Sequence, residues 1–292
     1  RLYPGGEAAA HILGYMGEVT EDEVGLIKEM GQKYDVGDRI GRGGIESEYE
    51  NLLRGQDGGE LVEVDINGTL VRQLGVTQPV SGRDVMVSID MNLQRTAYEA
   101  FKEKNLKGAA VVMIPDTGEI LALVSSPSYD PGMFSEQYSI LSTREDLPLF
   151  NRAIGGVYPP GSTFKMVTTA AAIESGKVPA GFTYEDQGVV RVGEYAYYNW
   201  FSGKEGLIGF SRAITRSTDT FFYEVGGDTG PDEIADWART FGDGEKTGID
   251  LAGEVAGLMP DPQWKEEVKD ESWFLGDTYI MAIGQGDILA TP

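Results

Sequence analysis

The stretch "YPPGSTFKMVTTAAAI", Tyr158 to Ile173, constrains the fold of this chain more than any other. Pro159 and Pro160 cannot continue a preceding helix, because proline lacks an amide hydrogen and crowds the turn before it, and Gly161 lets the backbone turn sharply. The run that follows is strongly helical, so a long apolar helix is expected from Ser162 to about Ser175. Ser162 then sits at a helix N-terminus, with Lys165 three residues on and on the same face. From there the lysine amine could return to the serine hydroxyl. The spacing alone proves nothing, since serine is a good N-cap, lysine is common on helix surfaces, and Ser-x-x-Lys arises by chance about once in a chain of this length.

What lifts the pair above chance is the lack of other bases. The chain has one histidine, His11, far upstream of Ser162, and no cysteine. Ser-His-Asp and Cys-His mechanisms and cysteine metal sites are thereby disfavoured. Nucleophilic chemistry would need a carboxylate, a tyrosine or a lysine as its base. Burial of Lys165 against Phe164 and Met166 would disfavour its charged form and lower its pKa. The helix dipole and the first-turn N–H groups would stabilise an oxyanion beside Ser162. A further group must hold the lysine and carry the proton to a leaving group. The candidate is "TRSTDTFFYEVG", where Ser217 and Asp219 follow an expected helix and precede Phe221-Phe222-Tyr223. Its plainer reading is an N-cap with an acidic first turn.

The remaining sequence sets a frame of two domains. At 292 residues, 41% of them apolar and 10% aromatic, the chain is long enough to bury a sizeable core. The balance of 47 acidic against 24 basic residues, net −23, with no basic stripe, argues against nucleic acid and for a well-hydrated surface or a salty habitat. No apolar run approaches the roughly 18 residues of a membrane span, and "RLYPGG" has no apolar signal-peptide core.

Residues 1–83 are rich in glycine and acidic side chains. Their short patterned pieces are "AAAHILGYM", the helix-like "EDEVGLIKEMGQKY", and "GIESEYENLLRG", with Ile45, Tyr49, Leu52 and Leu53 at helical spacing. "GELVEVDINGTLVRQL" sets Val62, Val64 and Ile66 on one face ahead of an Asn67-Gly68 hairpin turn. This part reads as a scaffold without chemistry. From about Val85 the character changes. "DVMVSIDMNLQRTAYEAFKEKN" predicts a short strand and then a helix capped by Asp90 or Asn92. Two apolar runs, Ala109 to Ile114 and Ile120 to Val124, joined by Pro115-Asp116-Thr117-Gly118, predict a buried hairpin. Helices are expected at Ser162–Ser175 and Phe210–Arg216, with a polar Tyr- and Trp-rich loop from Tyr195 to Phe201 between them. Strands and helices mix without regular βαβ alternation, which makes the fold class α+β.

"GVYPPGSTFK", "RAITRSTDTFFYEVG" and "GEKTGIDLAGEVAGLMPDPQWK" together resemble the transpeptidase domain of class B penicillin-binding proteins. The Ser-x-Asp form, in place of Ser-x-Asn, is similar to the elongation-type penicillin-binding protein 2 branch. "GRGGIESEYENLLRG" resembles the family's non-catalytic, dimerisation-type pedestal, so the likeness runs over nearly the whole chain. It implies a partial pedestal at 1–83 and a penicillin-binding transpeptidase (serine β-lactamase-like) domain at 84–292. By the same resemblance Ser162 is the acyl-accepting nucleophile, Lys165 its general base and Ser217 the proton shuttle, with Asp219 orienting lysine and substrate. The implied reaction is D,D-transpeptidation of peptidoglycan stem peptides, with β-lactams acylating the same serine. No cofactor is implied. The implied partner is a membrane-embedded glycan polymerase of the cell-elongation machinery, at the extracytoplasmic face of the bacterial cytoplasmic membrane.

The family's third motif, Lys-Thr/Ser-Gly on a strand facing the serine, has a literal match at Lys246-Thr247-Gly248. That match follows the glycine-rich "FGDGE" and leads into "IDLAGE", so it is read as a structural loop. The family places the real motif after a "GQG" segment, here Gly284-Gln285-Gly286. It is therefore expected beyond Pro292, and the N-terminal membrane helix ahead of Arg1. Three alternatives share these features: a serine β-lactamase, a β-lactam-sensing domain, and a catalytically degenerate penicillin-binding domain whose pedestal is the working part.

Overall fold

The computed structural model describes residues 2–29 and 34–292. The chain divides into two compact units, Arg1–Ala153 with Asp250–Gly253, and Ile154–Ile249 with Glu254–Pro292. Among the described residues every sheet is a two-stranded antiparallel ribbon, interleaved with helices. The α+β class follows.

The first unit opens with a 3₁₀ turn and the short helix α1 (Ala10–Leu13). Strand β1 (Met16–Glu18) pairs with β2 (Arg39–Gly41) across helix α2 (Glu21–Glu29). The Glu23 carboxylate accepts from the Thr20 N–H and hydroxyl and fixes the start of α2. Of the remainder of the expected helix, residues 30–33 lie outside the described residues and Tyr34 is not helical. Val19, Ile27 and Tyr34 form a small core here.

The helix expected around Ile45 to Leu53 is broken at Tyr49 into α3 (Gly44–Glu48) and α4 (Glu50–Leu53), and its buried face differs from the one the apolar spacing marks. Glu46 and Glu50 are buried while Leu52 is exposed. The reason is polar: Glu50 accepts from the Gly41 N–H at 2.8 Å and from the Tyr34 hydroxyl, so its carboxylate ties α4 to β2.

Strands β3 (Gly59–Val64) and β4 (Leu70–Thr77) form the hairpin expected at Asn67-Gly68. Asp65 Oδ1 closes the turn by accepting from the Asn67 and Thr69 N–H groups. Both strands are exposed along their whole length, and the Val62–Val64–Ile66 face with them.

No strand forms over residues 84–90, although the alternation there predicts one. That segment bonds strand β6 (Ile120–Ser126) through the Asp90 N–H to Leu121 O and the Ser88 hydroxyl to Ile120 O. Met86 stays 97% exposed.

Helix α5 (Met91–Glu103) is capped by Asp90, which accepts from the Asn92 and Leu93 N–H groups. Its Gln94 is fully buried and pairs both ends of its amide with the backbone of Leu123 in β6. Strand β5 (Gly108–Met113) pairs with β6 in the expected hairpin; β6 is buried from Ala122 to Ser126 and β5 only partly. Helix α6 (Phe134–Leu141) places Phe134 and Leu141 with Ala10 and Tyr129 in a second core of this unit.

In the second unit a 3₁₀ turn, Gly161–Phe164, leads into α7 (Lys165–Glu174). Strand β7 (Thr183–Asp186) pairs with β10 (Gly206–Gly209), and the ribbon of β8 (Val189–Val192) and β9 (Tyr195–Tyr198) lies between them in sequence. Helix α8 (Phe210–Arg216) follows with the expected bounds, then α9 (Asp219–Thr229), α10 (Pro231–Thr240), α11 (Pro262–Lys269) and α12 (Leu275–Ala282). Helix α9 is buried over most of its surface, with Asp228 exposed. Its Phe221 and Phe222 are wholly enclosed beside Ala172 of α7, Ala213 of α8 and Tyr279 of α12. Removing either ring from water contributes about 1.5–3 kcal/mol, so the start of α9 is held firmly. A second cluster joins Phe164, Ala171, Ile234, Met281 and Ile288. No helix among the described residues is long and apolar enough to cross a membrane.

Candidate active site

All four residues singled out from the sequence meet at one place in the second unit. Ser162 lies in the 3₁₀ turn, exposed, one residue past Gly161, whose φ is +59°. The expected α-helix therefore starts at Lys165, and its first turn is the tighter 3₁₀ form that often opens a helix. The turn is seated on the segment after α12. The Gly161 N–H donates to Gly284 O at 2.8 Å, and a Cβ on Gly284, at φ +72°, would fall 2.2 Å from Gly161 O. Only glycine at 284 permits that approach. The "GQG" segment thus supports the serine from beneath.

Lys165 is 2% exposed. Its Nζ donates to Asp219 Oδ1 at 2.5 Å, to Ser217 O at 2.9 Å and to Ser217 Oγ at 3.0 Å, which occupies all three ammonium hydrogens. Ser217 Oγ is 2.8 Å from Ser162 Oγ. The amine therefore reaches the exposed serine through Ser217. Burial holds the Lys165 pKa below the ordinary lysine value, and the Asp219 hydrogen bond and charge only partly restore it. Met166 takes no part in that burial, being 64% exposed; the apolar neighbour is the Phe222 ring, 5.4 Å from Nζ, while Phe164 points into the second core cluster. Met166 follows Lys165 directly, and adjacent helix positions point about 100° apart, so the two cannot share a face.

Ser217 ends α8 in the left-handed region, φ 54° and ψ 44°, a conformation that costs a non-glycine residue of order 1–3 kcal/mol and collects at functional sites. The strained turn lets both its carbonyl and its hydroxyl face Lys165. Asp219 begins α9, where the helix dipole favours a carboxylate. Its second oxygen accepts the Trp200 N–H at 2.9 Å, so the carboxylate is gripped from two sides. The expected Tyr- and Trp-rich loop forms strand β9 over Tyr195–Tyr198; Trp200 lies in the irregular piece that follows and escapes a reading by motif, because its backbone rather than its side chain makes the contact.

Lys246-Thr247-Gly248 lies in an irregular turn. The Thr247 N–H and hydroxyl and the Gly248 N–H all bond the Glu254 carboxylate, which makes the segment a closed loop and not a strand. Among the described residues no three His, Asp or Glu side chains are placed to hold a metal ion.

The penicillin-binding protein transpeptidase domain matches residues 108–292, and the penicillin-binding protein dimerisation domain matches residues 1–87. Peptidoglycan D,D-transpeptidase MrdA of Acinetobacter baumannii is 38% identical over 299 residues, covering 100% of this chain and 44% of that protein. The MrdA of Escherichia coli K12 is 39% identical over 301 residues, covering 100% and 47%. This chain spans about half the length of the relatives it matches. Among solved structures, the complex between penicillin-binding protein PBP2 and MreC from Helicobacter pylori superposes with a TM-score of 0.89 at 32% identity, covering 99% of this chain and 55% of that one. Pseudomonas aeruginosa PBP2 in complex with WCK 5153 gives 0.80 at 35% identity, covering 100% and 61%. Two domain matches in tandem, full-length coverage of this chain and a serine–lysine–serine cluster at its centre agree: the chain belongs to the penicillin-binding protein transpeptidases.

Proposed function

We propose that the protein carrying this chain is a peptidoglycan D,D-transpeptidase of the elongation type. The observation that carries the reading is the continuous path from Lys165 Nζ through Ser217 Oγ to Ser162 Oγ, with the amine buried and its pKa lowered. A neutral Lys165 amine accepts the Ser217 proton while Ser217 takes the proton of Ser162. The freed Ser162 oxygen attacks the carbonyl carbon of the penultimate D-alanine of a stem peptide. The tetrahedral oxyanion forms beside the first-turn N–H groups at the dipole's positive end. Its collapse breaks the peptide bond, and the relay returns the proton to the departing D-alanine amine. An amine of a neighbouring stem peptide then attacks the ester, re-forming Ser162 and the cross-link. A β-lactam ring opened by the same serine leaves its nitrogen tethered, so the acyl-enzyme persists. Asp219 orients the lysine and helps to bind substrate.

We propose that residues 1–83 are pedestal scaffold and 84–292 the catalytic domain, a reading supported by the dimerisation-domain match at residues 1–87 and the transpeptidase-domain match at 108–292. We infer that the whole protein works outside the bacterial cytoplasmic membrane, anchored to it, beside a glycan polymerase of the elongation machinery. The test is acylation of the intact protein by a labelled penicillin, followed by peptide mapping. Adduct on Ser162 alone, lost in Ser162→Ala, is expected; adduct on another serine, or undiminished adduct in Ser162→Ala, refutes the assignment. Sustained hydrolysis of a chromogenic cephalosporin would make the protein a β-lactamase instead.

A further inference from the structure

Asp186, at the end of β7, lies outside the proton path and is fully shielded from solvent. Its Oδ1 accepts from the Gly188 N–H and the Thr220 hydroxyl, each at 2.7 Å, and its Oδ2 from the Glu205 N–H at 2.7 Å. Asn199 Nδ2 lies 3.3 and 3.2 Å from the two oxygens. All four donors are neutral. A carboxylate removed from water is costly unless its lone pairs are met, so a group buried this deeply with so many directed donors specifies the segments that supply them.

Those segments surround the site. Asn199 Oδ1 accepts the N–H of Thr220, the residue after Asp219, at 3.0 Å. The next residue, Trp200, donates its N–H to Asp219 Oδ2 and its indole N–H to Arg216 O at 3.2 Å. Glu205 holds Arg212 and Arg216 of α8 with its side chain, at 2.7 and 3.1 Å. The 199–205 loop is thereby fastened on both sides of Ser217. A Cβ on Gly188, at φ +81°, would sit 2.3 Å from Gly203 O, so the loop closes tightly over the knot.

We propose that Asp186 is a positioning residue for acylation: through Asn199, Thr220 and the 199–205 loop it sets where the Asp219 carboxylate stands and hence where the Lys165 amine points. The inference rests on the transpeptidase reading and deepens it. The bland alternative is that the knot only closes the β7–β10 ribbon and contributes stability.

Rapid-mixing kinetics of the intact protein with a fluorescent penicillin separate the non-covalent dissociation constant from the acylation rate constant. Thr220→Val removes the hydroxyl donated to Asp186 at nearly constant volume. It is expected to lower the acylation rate constant about tenfold, a size consistent with the roughly hundredfold cost of a 1 Å misplacement, with the dissociation constant unchanged. Thr220→Ser, which keeps the hydroxyl, is expected to restore the rate to within about threefold of the unmodified protein. Asp186→Asn is expected to lower it further; should that variant not fold, the Val and Ser pair decides. If Thr220→Val and Asp186→Asn both acylate within about twofold of the unmodified protein while their melting temperatures fall, the knot is structural and the proposal is overturned. Failure of the unmodified protein to acylate at Ser162 would instead remove the transpeptidase reading, and the inference with it.

Discussion

Replacing Ser217 by alanine tests the relay most directly. Lys165 reaches Ser162 through Ser217 Oγ, with contacts of 3.0 and 2.8 Å on its two sides. If that path is the one the proton takes, removing the hydroxyl disconnects the base as surely as removing the amine. A positioned general base contributes roughly 10²- to 10⁴-fold, about 2.7–5.5 kcal/mol at 1.36 kcal/mol per tenfold. Ser217→Ala should therefore lose at least a hundredfold in penicillin acylation, and so should Lys165→Ala. The double variant should fall within about tenfold of either single one, because two members of one relay can be lost only once. The backbone gives little to confound the result, since alanine carries about the same cost as serine at φ 54°. Lys165 keeps Ser217 O and Asp219 as acceptors in this variant. Acylation rates of the four proteins, with circular dichroism to confirm folding, complete the cycle. Independent, multiplying losses would refute the relay, as would Ser217→Ala retaining more than a tenth of the rate while Lys165→Ala lost a hundredfold.

Lys165→Arg should abolish acylation while preserving positive charge, because arginine does not deprotonate in a protein; retention of more than about a tenth of the rate, a cost under roughly 1.4 kcal/mol, would make Lys165 merely electrostatic. Lys246→Ala should leave the acylation rate nearly unchanged, since its loop is closed by Glu254; a tenfold loss would restore that segment as a substrate-binding motif. Gly284→Ala should lower both the melting temperature and the acylation rate by forcing the serine turn off its seat, and an unperturbed variant would show that the seat is dispensable. Burial holds His11 at a pKa of about 4 against 6.5. Its folded value is depressed, so the unfolded chain binds the extra proton and the associated stability is complete above pH 6.5 and lost as pH falls toward 4, by about 3 kcal/mol. His11→Phe should flatten that part of the acid limb in urea melts, and an unchanged limb would show that another group titrates there.

The site was legible where its chemistry is local. Ser162 and Lys165 are one turn apart, Ser217 and Asp219 are two residues apart, and their types and neighbours announce them. Asp90 as a cap, the Asn67-Gly68 turn and the bounds of α8 were readable for the same reason. The sequence could not indicate that Lys165 addresses Ser217 rather than Ser162 directly, because that depends on the left-handed backbone at Ser217. Nor could it show that Glu50 turns inward, since its partners, the Gly41 N–H of β2 and the Tyr34 hydroxyl, come from other segments. Asp186 and Trp200 share this limit. Asp186 reads as a turn residue two places before Gly188, and the backbone N–H of Trp200 is invisible to any reading of side-chain types.

The bond between the Gly161 N–H and Gly284 O also orders events in time. The turn that carries Ser162 and the segment on which it rests are separated by roughly 120 residues of chain, and a contact of such separation must meet a loop-closure cost before it contributes stability. On a ribosome adding about 5–20 residues per second, Ser162 is made some 6–24 s before its support exists. During synthesis the nascent chain carries Ser162 and Lys165 without the segment on which their turn rests, and the Gly161–Gly284 bond can close only once residue 284 has emerged.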